Sequence, residues 1–151
     1  MLPLEELPDA EETLMTDLLW IAGGGAVGAL CRHMVSTKCA FRFGTAFPYG
    51  TLLVNVLGSL LMGLLAGGWE RWGLFPVPAM FIGSGFLGAL TTFSTFSMDT
   101  FAAFRDGQPG KAALNIALNT ILCLGAAAGG ACGAADRAAL GPPRGGVRPG
   151  Q

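Results

Sequence analysis

The sequence predicts an all-α membrane protein of four transmembrane helices, the third broken near its middle. Three observations carry that reading: a shortage of charge, four long apolar stretches, and one stretch that is apolar yet poorly suited to a regular helix. Only 13% of the 151 residues are charged, against roughly a quarter in soluble domains, and the mean hydropathy is +0.54. Water does not solvate such a surface. A net charge of −1 points to neither nucleic acid nor an anionic surface as partner. The 4 cysteines, Cys31, Cys39, Cys123 and Cys132, lack the close spacing of metal or redox motifs and read as small apolar packing residues.

Residues 1–17 hold 6 acids and no Lys or Arg. A secretory signal needs a positively charged start, so this segment reads as an acidic, loosely ordered leader. Residues 18–135 contain the four apolar stretches and read as one transmembrane domain. Residues 136–151, rich in Gly, Pro and Arg, read as a disordered tail.

The first stretch, Leu18 to about Val35, is the shortest and carries Arg32 and His33 near its end. Thr51 to Trp69 and Ala112 to Ala135 are uncharged, and Val77 to about Met98 is uncharged up to Asp99. About 20 helical residues cross the hydrocarbon core, so all four are long enough. The alternation of a membrane β-barrel is missing. Pro76, Pro78 and the glycines of the third stretch oppose regular helix geometry. Trp20, Trp69 and Trp72 fall near stretch ends, either as interfacial anchors or as packing at a helix end.

Four crossings put both termini on one side, with Arg71, Arg137, Arg144 and Arg148; the other side holds Arg32, Lys38, Arg42, Arg105 and Lys111. The two arginines far down the tail orient least. A balance this even predicts insertion in both orientations. Two antiparallel copies would supply the inverted symmetry common in transporters, and the pairs Gly24–Gly28 and Ser59–Gly63 offer close helix contacts.

The run "GSGFLGALTTFSTFS", residues 83–97, follows three glycines with five hydroxyls, Thr91, Thr92, Ser94, Thr95 and Ser97. One such hydroxyl satisfies itself on a carbonyl a turn back; five together suggest a break, where freed carbonyls suit a small hard cation and freed amides an anion. Phe93 and Phe96 share a helix face. In the second stretch Asn55 follows Thr51 and precedes Ser59 by one turn each, and Asn115, Asn119 and Cys123 form a stripe on the fourth. Near the middle of these last three stretches there is no Asp, Glu or His, so proton-coupled exchange has no evident carrier. An uncharged, donor-rich path suits an anion, and the electropositive edges of two phenyl rings add to it. Arg32 either raises local anion concentration or holds a helix end.

"GGGAVGALCRH" (23–33), "GTLLVNVLGSLLMG" (50–63) and "GSGFLGALTTFSTFS" (83–97) together resemble the CrcB-type (Fluc) fluoride channels, over roughly residues 18–135. The resemblance implies a passive fluoride channel, not an enzyme, in the cell's inner (plasma) membrane, exporting fluoride and relieving its toxicity. It implies an antiparallel, dual-topology dimer with a second copy or a paralogous subunit. Asn55, Phe93, Ser94, Thr95, Phe96 and Asn119 are then expected along the anion pathway, Arg32 at a vestibule or helix end, and the backbone carbonyls of Gly88 and Thr91 on a structural sodium ion. Ala89 stands where relatives often have glycine, Asn115 where many have tyrosine, and Asn119 where many have serine. Two other classes share the small size: a dual-topology exporter of organic cations, which needs a membrane carboxylate, and a non-transporting scaffold, which leaves the Thr/Ser/Phe run unexplained.

Overall fold

A computed structural model describes residues 7–72 and 79–139. Pro76, Pro78, the first residues of the leader and the end of the tail, with Arg144 and Arg148, lie outside the described residues, as do the side chains of Trp69, Arg71, Trp72 and Arg137. Helix α1, Leu7–Phe43, has 37 residues. The helix begins within the acidic leader, at Leu7, and the first apolar stretch lies inside it. Hydropathy marks where a helix meets the bilayer, whereas its end is set by backbone chemistry. Here that end is Gly44, at φ 78, whose N–H bonds the Ala40 carbonyl at 2.9 Å; glycine adopts this left-handed cap without steric cost.

After a short turn, α2 spans Tyr49–Trp72, 24 residues. Pro48 suits its start, where a missing N–H has no helical partner to lose. The third apolar stretch is a composite. A π-helix, Met80–Leu87, runs into a single α turn, α3, Gly88–Leu90. Thr91 (ψ 154) and Thr92 (φ −152, ψ 111) are extended, and α4 resumes at Phe93–Arg105. The break therefore falls inside the Thr/Ser/Phe run, as the sequence predicts; the π-helical geometry before it was not foreseen. Gly107, at φ 73, turns the chain into α5, Pro109–Ala139, of 31 residues.

Backbone proximity organises the fold. Helix α2 lies along α5, and α1 lies along the π-helix. A Cβ on Gly63 would collide with the Ala127 carbonyl, one on Gly24 with the Phe81 carbonyl, and one on Gly28 with the Phe86 carbonyl. Gly24, Gly28 and Gly63 thus bring together helices within one chain. Trp20 meets Phe81 edge-on at 6.2 Å, the helix-packing alternative for that residue.

Three described helices are long and apolar enough to cross a membrane, and only 11% to 28% of each apolar window is buried within the protein. The buried apolar cluster is small: Val54, Leu87 and Leu90, backed by Cys31, Val35, Leu65, Ile82 and Phe86. Lipid or another protein surface must cover the rest. Replacing Gly28 by Val is expected to destabilise the fold by about 1–3 kcal/mol through overpacking, read as a lower unfolding temperature in detergent; an unchanged temperature would show that α1 can move away from the π-helix freely.

Candidate functional site

Leaving helical geometry for two residues strips backbone groups of their partners, and inside a membrane each such group needs a replacement. Thr92 is extended, so its N–H and C=O face one side, as in a β-ladder. One carboxamide takes both. Thr92 N–H donates to Asn55 Oδ1 at 2.8 Å, and Asn55 Nδ2 donates to the Thr92 carbonyl at 3.2 Å. The Thr92 hydroxyl then caps α4, accepting from the Thr95 N–H at 3.2 Å, and donates to Thr95 Oγ1 at 3.0 Å. Ser94 Oγ lies 3.2 Å from the same oxygen. Thr91 makes the plain back-bond to the Leu87 carbonyl, at 3.1 Å.

The cap fixes the first turn of α4, and with it Phe93 and Phe96, whose ring centroids lie 5.5 Å apart at an interplanar angle of 50°. Both rings line an open groove of about 480 Å³, together with Asn55, Ser59, Thr91, Thr92 and Asn119. Phe93 is 79% exposed.

A second, more polar cavity of about 400 Å³ lies against the same turn and is reached by Thr95. There Thr51 donates its hydroxyl to Asp99 Oδ2 at 2.8 Å, and Lys111 and Asp106 also border the space. The Thr92–Ser94–Thr95 hydroxyl cluster thus stands between an apolar groove and a polar cavity.

The structure brings together Asn55, Phe93, Ser94, Thr95, Phe96 and Asn119 around the break. Two of them have their own donors engaged inside the protein. Asn55 Nδ2 has a second donor, given to Asn119 Oδ1 at 3.0 Å, and Asn119 Nδ2 donates to the Asn115 carbonyl and Oδ1 at 3.1 and 3.0 Å. Both amides line the groove while their own donors are taken up inside the protein. Gly88 lies one turn before the break, and Thr91 is its first residue. The Thr92 N–H, which would bond the Gly88 carbonyl in a continuous α-helix, goes to Asn55, so that carbonyl loses its regular partner. Arg32 is half-buried inside α1, far from its end at Phe43, so the helix-end role is corrected.

Sequence reasoning passed over Asp99 and Thr51 as a pair. Asp99 was read as the limit of the third stretch, yet it lies inside α4, one turn beyond Thr95, as Thr51 lies one turn before Asn55. That matched spacing was the available signal. Among the described residues no group of three or more His, Cys, Asp or Glu is placed to hold a metal ion.

The family model described as CrcB-like protein, Camphor Resistance (CrcB), matches residues 19–131. A protein of Shewanella amazonensis named fluoride-specific ion channel FluC is 50% identical over 110 residues, covering 73% of this chain and 89% of its own. One of the same name from Vibrio parahaemolyticus is 53% identical over 109 residues, covering 72% and 86%. A third, from Shewanella oneidensis, is 49% identical over 110 residues, covering 73% and 89%.

Replacing Asn55 by Leu orphans both backbone groups of Thr92. The expected loss is about 1–3 kcal/mol for each, measured as a lower unfolding midpoint in detergent; a midpoint equal to wild type would remove the carboxamide from the account of the break.

Proposed function

The chain belongs to the CrcB family, and from that premise we propose that it is a fluoride-selective channel through which cytoplasmic fluoride leaves passively. It is a multi-pass protein of the inner membrane and not an enzyme. The observation that carries the reading is the clamped break at Thr92, which sets Phe93 and Phe96 on the wall of the groove.

Fluoride holds its water tightly, so a pore must replace that shell with converging positive partners. The edges of Phe93 and Phe96 supply electropositive C–H groups, and Ser94 and Thr95 supply hydroxyls on the way to the polar cavity. Asn55 and Asn119 act on the anion as fixed dipoles in the wall, since their N–H groups are engaged elsewhere. The half-buried Arg32 contributes positive potential toward a vestibule. Larger anions are disfavoured by the fixed spacing of the turn.

The broken segment from Met80 to Arg105 has the length of a fourth crossing. One side of the groove is open, and Phe93 stands largely uncovered. A second copy, inserted in the opposite orientation, closes it; a paralogous subunit would serve equally. The nearly even charge of the two sides supports this dual insertion. The carbonyls of Gly88 and Thr91 suit a sodium ion, because the break diverts the helical donor of the first and turns the second out of the helix. When bound, such an ion supplies a fixed positive charge beside the dimer contact. The chain's own part is to hold these two carbonyls at a rigid helix end.

No pump is required. Neutral hydrogen fluoride crosses bilayers and ionises inside, and a negative-inside potential drives the anion outward by about 2.3 kcal/mol per 100 mV.

Liposomes loaded with potassium fluoride, triggered by valinomycin and read by a fluoride electrode, test this directly. Rapid fluoride efflux with little efflux from chloride-loaded vesicles is expected; equal efflux of both, or none, would contradict a selective homodimeric channel. Phe93→Ile and Phe96→Ile should each lower fluoride flux about tenfold or more, equivalent to roughly 1.4 kcal/mol at the constriction, with the dimer intact. Wild-type flux in both variants would remove the rings from the pathway. A cysteine placed in the C-terminal tail should be labelled from both faces of the membrane, whereas labelling from one face alone would overturn dual insertion of this chain.

A further inference from the structure

Asn115 is the most deeply buried polar side chain described, 1% exposed, and lines neither cavity. It is the third link in a chain of carboxamides that runs in one direction. The clamp on Thr92 admits one orientation of Asn55, because the reverse would set N–H against N–H and carbonyl against carbonyl. The remaining Asn55 donor therefore faces Asn119 Oδ1, at 3.0 Å. That turns Asn119 Nδ2 toward Asn115 Oδ1, also at 3.0 Å. Asn115 Nδ2 then donates to Thr100 Oγ1 at 2.8 Å, and Thr100 donates its hydroxyl proton to the Phe96 carbonyl at 2.7 Å. Each group donates to the next, and reversing any link would place like atoms together in a buried site.

This relay begins and ends on the same helical turn. Asn55, on α2, holds the turn at Thr92; Asn115, on α5, reaches it through Thr100 at the Phe96 carbonyl. We propose that Asn115 is a positioning residue for anion passage: accepting from Asn119 and donating to Thr100, it ties the Thr92 clamp to the Phe96 carbonyl and so holds the Phe93–Phe96 turn in place. The inference rests on the fluoride-channel reading and adds to it a residue that touches neither the groove nor the polar cavity.

The test compares fluoride and chloride efflux from liposomes for wild type, Asn115→Leu, Asn119→Ala, the double variant and Thr100→Val, with dimer content checked by size-exclusion chromatography. Wild-type efflux tests the channel reading alone. Given that efflux, Asn115→Leu should lower fluoride flux about tenfold, the scale of one buried hydrogen-bonding group left unpaired, and should narrow the fluoride-to-chloride ratio. Because the two residues are successive links of one relay, the double variant should lose less flux than the product of the two single losses. Effects that multiply would assign Asn115 to packing only and overturn the proposal. Thr100→Val, nearly isosteric, decides the matter if Asn115→Leu fails to fold: reduced flux and ratio support the relay, and wild-type values for both overturn it.

Discussion

A single carboxamide makes the irregular part of this fold tolerable. Membrane helices satisfy their backbone internally, and a helix that stops inside the bilayer must find substitutes for what it gives up. Asn55 offers one donor and one acceptor in the spacing of a peptide group, and it binds Thr92 as a neighbouring strand would. Once Thr92 is held, its hydroxyl is free to cap α4, and the cap sets the turn that carries both phenyl rings. The groove, the polar cavity behind it and the carbonyls of Gly88 and Thr91 all take their positions from this contact.

The surrounding helices are shaped to hold the broken segment in place. Glycines 24 and 28 bring the α1 backbone against the π-helix, where any side chain would collide with carbonyls. On the far side of the break, α5 approaches α2 equally closely at Gly63 and Gly130. Gly58 belongs to the same scheme, since a Cβ there would run into the methyl of Thr91. Close packing is rigid, and rigidity suits a pore: an anion that has lost its water gains most from partners that need not rearrange to meet it.

Much of this was legible in the residues, for physical reasons that differ between elements. The break was readable because glycines and a hydroxyl run lower helix propensity within an apolar stretch. Asn55 stood out as the one amide of its stretch, but its partner did not, because that partner is a backbone group 37 residues away. The length of α1 was misjudged from hydropathy, although Gly44 and Pro48 marked its end. The pairs Gly24–Gly28 and Ser59–Gly63 signalled close helix contacts, but spacing alone does not say which backbone will approach. Asn115 was visible as one end of a polar stripe with Asn119 and Cys123, but its partner Thr100 was not, because that residue lies on a different helix.

Hydrogen exchange of the Thr92 backbone amide, resolved by NMR in detergent micelles, tests the central claim most directly. A residue in extended geometry between two helices would normally exchange quickly. Held by Asn55, Thr92 should be protected about as well as Thr91, whose N–H bonds the Leu87 carbonyl at 3.1 Å, and should lose that protection in Asn55→Leu. Fast exchange in the wild-type protein would contradict that claim, because the break would then stand without the carboxamide that is held to support it.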